Sequence, residues 1–478
     1  MIALTLAEIA DIVSGRLVPA RGDTGDTVVD GVVDTDSRLM EPGGIFVAKP
    51  GEQTDGHLFV DAAVEGGAVL AIVERPVEAE VSQIVVPDVI QALGALAKAV
   101  VARVRARGDL RVVGITGSNG KTTTKNLLAR ILGDEGETIA PRGSFNNEIG
   151  APLTMLRITD ETRYLVSELS ARGQEAAFTS VTGVVEYLAR LIEPDVGVVL
   201  MVGMAHAGGE GGLEAIAAAK SELVREVRPG GVVVLNADDP RVSAMAPLAA
   251  ERGATVRWFG QGECADVRAL DIEATASGTT FTVVADGVRR PMRLRVLGAH
   301  HVANALAAIA ASTALGVSLE DAVARLETVE LAERWRMQVM GSESVRIIND
   351  AYNASPDSVA AALRTLAQIT GPDERTVAVL GAMGELGDFS GEEHDRIGEL
   401  AVRLRIQRIV VVGPDARRMF LAAVGEGSWD SEAVFFETAD EAYAYLQGEL
   451  RAGDRVLVKS SKSAGLRFLG DRLGEFFS

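Results

Sequence analysis

The chain has one cysteine, Cys264, in 478 residues, so no intramolecular disulfide can form and the composition fits a reducing cytosol. Aromatic residues make up 4% of the chain, too few for a protein that stacks bases along an extended single strand. Positive charge is short as well: 47 Lys and Arg face 67 Asp and Glu, a formal charge of −20. Surfaces that track nucleic acid or anionic lipid are basic, which excludes those partners, whereas a small phosphate compound needs only a local pocket. Long apolar runs are missing too. The longest uncharged stretch, Val296 to Leu319, holds His300, His301, Asn304, Ser312 and Thr313 and reads as a buried helix beside a ligand. The opening MIALTLAEIAD has no basic segment, and Glu8 and Asp11 interrupt any signal-peptide core. Thr5 followed three residues later by Glu8 reads instead as a capping box that starts a helix.

What is there is a folded, globular composition, 47% hydrophobic and 24% charged, with length for two to four domains. Three textures divide the chain. Residues 1–86 alternate short apolar runs (Ile45–Val47, Val69–Val73, Ile84–Val86) with Gly, Asp and Pro turns, a small α/β unit. Residues 87–327 open with helical spacing from Asp88 to Arg107. A strand at Arg111–Thr116 follows, and then the apolar runs Tyr164–Val166, Val196–Met204 and Val232–Leu235, the alternation of a mostly parallel sheet. Residues 328–478 restart the pattern with Val345–Ile348, Thr376–Leu380, Ile409–Val412 and Arg455–Val458, a Rossmann-like doubly wound sheet. The expected fold class is α/β in three domains, the central one of P-loop type.

The most informative segment is GITGSNGKTT, Gly114–Thr123. A strand, a glycine turn and a helix start let the backbone N–H groups of Gly117, Ser118, Asn119 and Gly120 close on phosphate oxygens, with the helix dipole adding positive charge. Lys121 reaches the β- and γ-phosphates, a Thr122 hydroxyl suits Mg²⁺, and Thr123 completes the ATP-binding loop. Ile115 stands where a general P-loop has its first glycine, and Gly114 sits one residue early. Ligands of open α/β sheets lie beyond the carboxyl ends of the strands, which singles out Glu168 after Tyr164–Ser167 and His206 after Val196–Met204. With the loop they form a candidate metal and phosphate cluster; the imidazole is the odd member for Mg²⁺, and Mn²⁺ tolerates it better. No Asn-Lys-x-Asp motif reads guanine, and GAMGELG spaces its glycines wrongly for a dinucleotide fingerprint, which excludes NAD.

These motifs, taken in order, resemble the Mur ligases, ATP-dependent amide ligases of bacterial cell-wall precursor synthesis. The resemblance covers nearly the whole chain through DTDSR, KPGEQTDGHLFV, TGSNGKT, GSFNNEIGAPLT, SELSARG, AHAGGEGG, AAAKSEL, GAHHVANALAA, RWRMQ, NDAYNASP, GAMGELG and VLVKSSKS. NDAYNASP and GAMGELG look most like the member that joins D-Ala-D-Ala to UDP-MurNAc-tripeptide. The Asp-Asn-Pro-Arg motif of the neighbouring, diamino-acid-adding member is absent from the C-terminal region, and DDPR at Asp238–Arg241 lies in the central one. That neighbour, and a non-catalytic nucleotide-binding regulator of the same fold, stand as the alternatives.

The resemblance implies phosphorylation of the tripeptide carboxylate by ATP to an acyl phosphate, followed by attack of the D-Ala-D-Ala amine. It places Thr122 and Glu168 on Mg²⁺ and His206 on a second metal, with Lys220 at the position of a carbamylated lysine on that metal. Asn304 faces adenine, and Arg336 and Asp350 contact the nucleotide, Asp350 toward the ribose. Ser37 and Arg38 bind the uridine diphosphate end, Asn146, Asn147 and Arg172 the muramoyl-peptide, and Lys459 and Ser461 the D-Ala-D-Ala region. The implied setting is the bacterial cytoplasm, as a monomer whose three domains close around the substrates. The segment between Arg172 and Pro194 is longer than the resemblance leads one to expect. Leu169-Ser170 follow Glu168 where Met-Gly is commoner, and His301 stands where asparagine is usual. Cys264 reads as an inert thiol, His57 as structural or substrate-facing and His394 as a helix-face residue; Trp258, Trp335 and Tyr352 read as packing residues.

Overall fold

The structure, a computed structural model, describes residues 1–51, 54–171, 183–204, 212–329, 333–427 and 432–478. Its three main sheets follow one another along the chain. The first runs Arg16–Val18, Ser82–Val85, Ala68–Val73, Gly44–Val47, Val33–Asp34 in spatial order, parallel except where Arg16–Val18 pairs antiparallel with Ser82–Val85. The first helix, Leu6–Ile12, opens on the capping box read from the sequence: Thr5 Oγ1 accepts from Glu8 N and Glu8 accepts from Thr5 N.

Nine strands form the central sheet, in the order Val288–Leu294, Gly278–Ala285, Val267–Thr275, Thr255–Gly260, Val232–Asn236, Val196–Val199, Arg111–Thr116, Tyr164–Glu168, Thr138–Ile139. Pairing is parallel from Thr138–Ile139 as far as Val267–Thr275, and the last two strands fold back antiparallel. Register matters for the site. Thr116 lies opposite Val199 and Ile115 opposite Glu168, so three carboxyl ends come out side by side. The Val196–Met204 run is a strand only to Val199. Beyond it Asp239, the cap of a short helix in the DDPR segment, accepts from Val202 N and bends the chain toward the glycine loop.

The last sheet is six-stranded, with Gln338–Gly341 antiparallel at one edge and then Val345–Asn349, Asp454–Lys459, Arg375–Leu380, Arg408–Val412 and Ala433–Phe436 parallel. The four inner strands are rich in β-branched residues and mostly buried on both faces, as expected where helices cover both sides. His394 is buried in this unit, where its Nε2 accepts from Met383 N and its Nδ1 donates to Ser390 O, so it pins the GAMGELG turn. His57 does the same for the first unit, accepting from Glu74 N at 2.9 Å beside Asp55.

Helix Val89–Arg107, capped by Asp88, joins the first two units. Leu93, Leu96 and Val100 are fully buried in a core that runs from Ile45, Leu70 and Ile84 of the first sheet to Val112 and Leu165 of the second. Each such side chain contributes roughly 1.5–3 kcal/mol. The uncharged stretch is the helix His300–Ala314, buried against the opposite face of the central sheet and against the helix Lys121–Gly133. Among the described residues no helix is long and apolar enough to cross a membrane.

Gly94 marks the tightest contact of the joining helix: a Cβ there would stand 2.0 Å from Tyr187 Oη. Alanine in place of a mid-helix glycine gains about 0.5–1 kcal/mol of propensity, but overpacking a core costs about 1–3 kcal/mol. Gly94→Ala should therefore lower the thermal midpoint. Adding Tyr187→Phe, which removes the clashing oxygen, should recover part of that loss in a double-mutant cycle.

Candidate active site

At the carboxyl end of Arg111–Thr116 the chain turns through Gly117–Gly120 into the helix Lys121–Gly133. Gly120 caps this helix with φ 86°, a left-handed conformation that glycine takes without strain, and its α-carbon lies tight against Asn304. Ser118 anchors the turn from behind: its hydroxyl donates to Gly203 O and accepts from Gly203 N. Lys121 folds back and donates to Gly117 O at 2.7 Å, and burial pushes its pKa down while Glu168 partly opposes this.

Glu168 is buried, with one carboxylate oxygen accepting from Asn146 Nδ2 at 2.7 Å and the other from Thr122 Oγ1 at 3.1 Å. Arg336, from the C-terminal unit, reaches the same hydroxyl at 3.3 Å and Ser144 Oγ at 3.0 Å. Its guanidinium lies 4.1 Å over the Tyr352 ring and its Nε is 3.0 Å from Glu333. Glu333 in turn accepts from Asn126 on the loop helix. Ser355 donates to Asn119 Oδ1, and Asp357 accepts from Met204 N, so the C-terminal unit grips the glycine turn and the neighbouring strand end.

Between these units lies a cavity of about 300 Å³. Its walls carry the loop residues Asn119–Thr123, then Ser144, Asn146 and Glu168, then His301 and Asn304, and finally Arg336, Asp350, Tyr352 and Lys459. The Asp350 carboxylate accepts from Lys459 Nζ at 2.6 Å and from Met337 N at 3.0 Å. Lys459, assigned at first to the D-Ala-D-Ala region, thus sits with Asp350 in this cavity. Burial and the nearby His300, Arg336 and Lys459 hold the His301 pKa well below its usual value, and Asn304 Nδ2 lies 3.2 Å from His301 Nδ1. Lys220, on the helix Gly212–Glu226, is buried and pushed down to about 7, first by desolvation and then by the charge of Lys121. An amine held near neutrality in this way keeps a sizeable unprotonated fraction at neutral pH.

Other expected residues lie apart from the cavity. Ser37 and Arg38 occupy a short helical turn in the first unit, and the exposed Arg38 pairs with Asp36 at 2.6 Å. Asn147 turns away to accept from Gly150 N, starting the helix Gly150–Met155. Ser461 faces a second cavity of about 470 Å³, lined also by Asn353, Ser355, Gly384, Glu385, Lys462 and Arg467. His206 and Arg172 lie outside the described residues. Sequence reading missed Ser144, Asn126, Glu333 and Ser355. Ser144 stands within GSFNNEIG, whereas Glu333 and Ser355 become site residues only because another unit packs over the loop.

Gly120→Ala tests the turn. The substitution places a side chain at positive φ, at a cost of roughly 1–2 kcal/mol, and its Cβ would stand 2.2 Å from Asn304 Oδ1. Nucleotide affinity by titration calorimetry should fall more than tenfold while the thermal midpoint drops only a few degrees.

Comparison with known proteins gives the same picture. The Mur ligase middle domain family matches residues 115–312, the Mur ligase glutamate ligase domain residues 335–462, and the Mur ligase family catalytic domain residues 31–101. A UDP-N-acetylmuramoyl-tripeptide--D-alanyl-D-alanine ligase of Mycobacterium tuberculosis is 43% identical over 99% of this chain and 98% of its own. A crystal structure of MurF from Acinetobacter baumannii superposes with TM-score 0.86 at 33% identity, covering 99% of both chains. The MurF ligase of Thermotoga maritima in complex with ADP superposes with TM-score 0.80 at 26% identity, covering 94% of this chain and 98% of that one. With three family domains in order and full-length relatives at this identity, the chain belongs to the Mur ligase family.

Proposed function

We propose that this protein joins D-Ala-D-Ala to UDP-MurNAc-tripeptide at the expense of ATP, giving the UDP-MurNAc-pentapeptide used for peptidoglycan synthesis. The observation that carries this reading is the nucleotide cavity itself, with a lysine and glycine turn on one wall and Arg336, Asp350 and Lys459 on the other. The second cavity shares Asn353 and Ser355 with it, which suits a small dipeptide brought up beside the γ-phosphate.

A carboxylate is a poor acyl donor until one oxygen carries a phosphoryl group. The terminal carboxylate of the tripeptide attacks the γ-phosphorus of ATP, ADP leaves, and an acyl phosphate forms. The D-Ala-D-Ala amine then adds to the acyl carbon, loses its proton, and inorganic phosphate departs. Lys121 and Arg336 neutralise charge on the transferring group, and the loop amides orient it. Asn304 faces the adenine and Asp350 the ribose. Ser37 and Arg38 receive the uridine diphosphate end, and Asn146, Asn147 and Arg172 the peptide.

The hydroxyl of Thr122 and the carboxylate of Glu168 are the oxygen donors that Mg²⁺ takes beside substrate phosphates. Among the described residues no group of three or more acidic, His or Cys side chains forms a metal cage. Lys220, once its unprotonated amine has added CO₂ and lost a proton to become a carbamate, and His206 would hold a second ion. Bound metal supplies further charge neutralisation. The chain divides at residues 86/87 and 327/328, acts as a monomer, and works in the bacterial cytoplasm.

The test mixes the protein with ATP, Mg²⁺, UDP-MurNAc-tripeptide and D-Ala-D-Ala and follows phosphate release. Release should require both substrates, and Lys121→Ala should lower it by about 10²–10³-fold. Lys220→Ala should lower it as well, with nucleotide affinity retained. Release that needs a free diamino acid and the UDP-dipeptide instead would assign the neighbouring activity. Nucleotide binding without release in either mixture would mark a regulator.

A further inference from the structure

Four lysines lie around the nucleotide cleft, Lys121 half-buried and the others buried, and three have roles above: Lys121, Lys220 and Lys459. The fourth, Lys125, has none. It stands one turn below Lys121 on the loop helix, on the side turned inward, and is 1% exposed. An ammonium in such a place costs several kcal/mol of desolvation, and a methionine of similar shape would fill the same volume without that cost. Burial does lower its pKa, with the charges of Glu168 and Glu333 working against the shift.

The contacts of Lys125 explain what the charge does. Its Nζ donates to Pro141 O at 2.8 Å and to Gly143 O at 2.9 Å. Those two carbonyls belong to the start of the segment 141–147, which has no strand or helix of its own before Gly150. The next residues are the ones the site uses. Ser144 Oγ meets Thr122 and Arg336, Asn146 Nδ2 donates to Glu168, and Ser170 N donates to Asn146 O. A chain without regular structure holds such groups in place only if something fixes its backbone, and charge-assisted bonds to carbonyls are the strong way to do so.

We infer that Lys125 is a positioning residue: its buried ammonium clamps the carbonyls of Pro141 and Gly143 and so sets the loop that brings Ser144 to Thr122 and Arg336 and Asn146 to Glu168 and to the peptide end of the UDP substrate. It touches no substrate itself and acts through the loop. The substrate part of this inference rests on the function proposed above; the loop part does not.

Hydrogen exchange and steady-state kinetics on Lys125→Met and Lys125→Arg test it. In K125M the amides of residues 142–147 should exchange at least tenfold faster than in the unmodified protein. The KM for UDP-MurNAc-tripeptide should rise at least fivefold and the KM for ATP stay within twofold. K125R, which keeps the charge and the donors, should lie nearer the unmodified protein in both. Unchanged exchange in K125M overturns the inference. So does a raised KM for ATP with the tripeptide KM unchanged, which would put Lys125 on the nucleotide. If K125M does not fold, Lys125→Gln takes its place, and exchange like the unmodified protein's again overturns it. Failure of the unmodified protein to turn over these substrates counts against the proposed function alone, because the exchange comparison needs no substrate.

Discussion

The site depends on the surroundings of one hydroxyl. Thr122 Oγ1 donates to Glu168 from the neighbouring strand end, lies 3.2 Å from Ser144 Oγ in the 141–147 segment, and accepts from Arg336 of the C-terminal unit. Three separate stretches of chain therefore meet at the first turn of a single helix. Parallel register brings Glu168 there, because a strand ending one residue earlier or later would aim its carboxylate at the other face of the sheet. Packing of the C-terminal sheet brings Arg336. The cavity is the space left between these elements, so a change in any of them alters its shape.

Charge explains why so acidic a protein binds anions. The formal charge of −20 is spread over a surface in contact with water, where screening weakens it within about 10 Å. Lys125 and Lys459 are withdrawn from solvent, Lys121 is half-buried, and with Arg336 they lie around three carboxylates, Glu168, Asp350 and Glu333. In that confined region the cations outnumber the carboxylates, and low local polarity strengthens each interaction. Crowding has a consequence for protonation, since Lys121 depresses Lys220 on top of its burial. The arrangement that gathers cations in the cleft also holds the Lys220 pKa down to about 7 beside it.

Much of this was legible along the chain, and for local reasons. The Thr5 capping box, the Asp88 cap and the glycine turn before Lys121 are made by residues within four positions of one another, so the sequence shows them directly. Glu168 was legible because a strand end is local and the ligand position in an open α/β sheet is general. The strand after Asp195 ends at Val199 although its apolar run continues to Met204, because the backbone beyond Val199 is taken by Ser118 and Asp239. The antiparallel pair Gly278–Ala285 and Val288–Leu294 at the far edge of the central sheet also went unread.

The sequence by itself determined the α/β class, the order of the three sheets, the phosphate turn and the family, since each rests on short-range pattern or motif order. Only the tertiary structure decided that Lys459 joins Asp350 in the cavity beside the glycine turn, that His57 and His394 serve backbone amides, and that Lys125 points inward to two carbonyls. A lysine four residues along a helix from another reads as a solvated charge until the neighbouring loop is known to lie over it. Burial and partner are properties of packing between distant segments, and no local pattern records them.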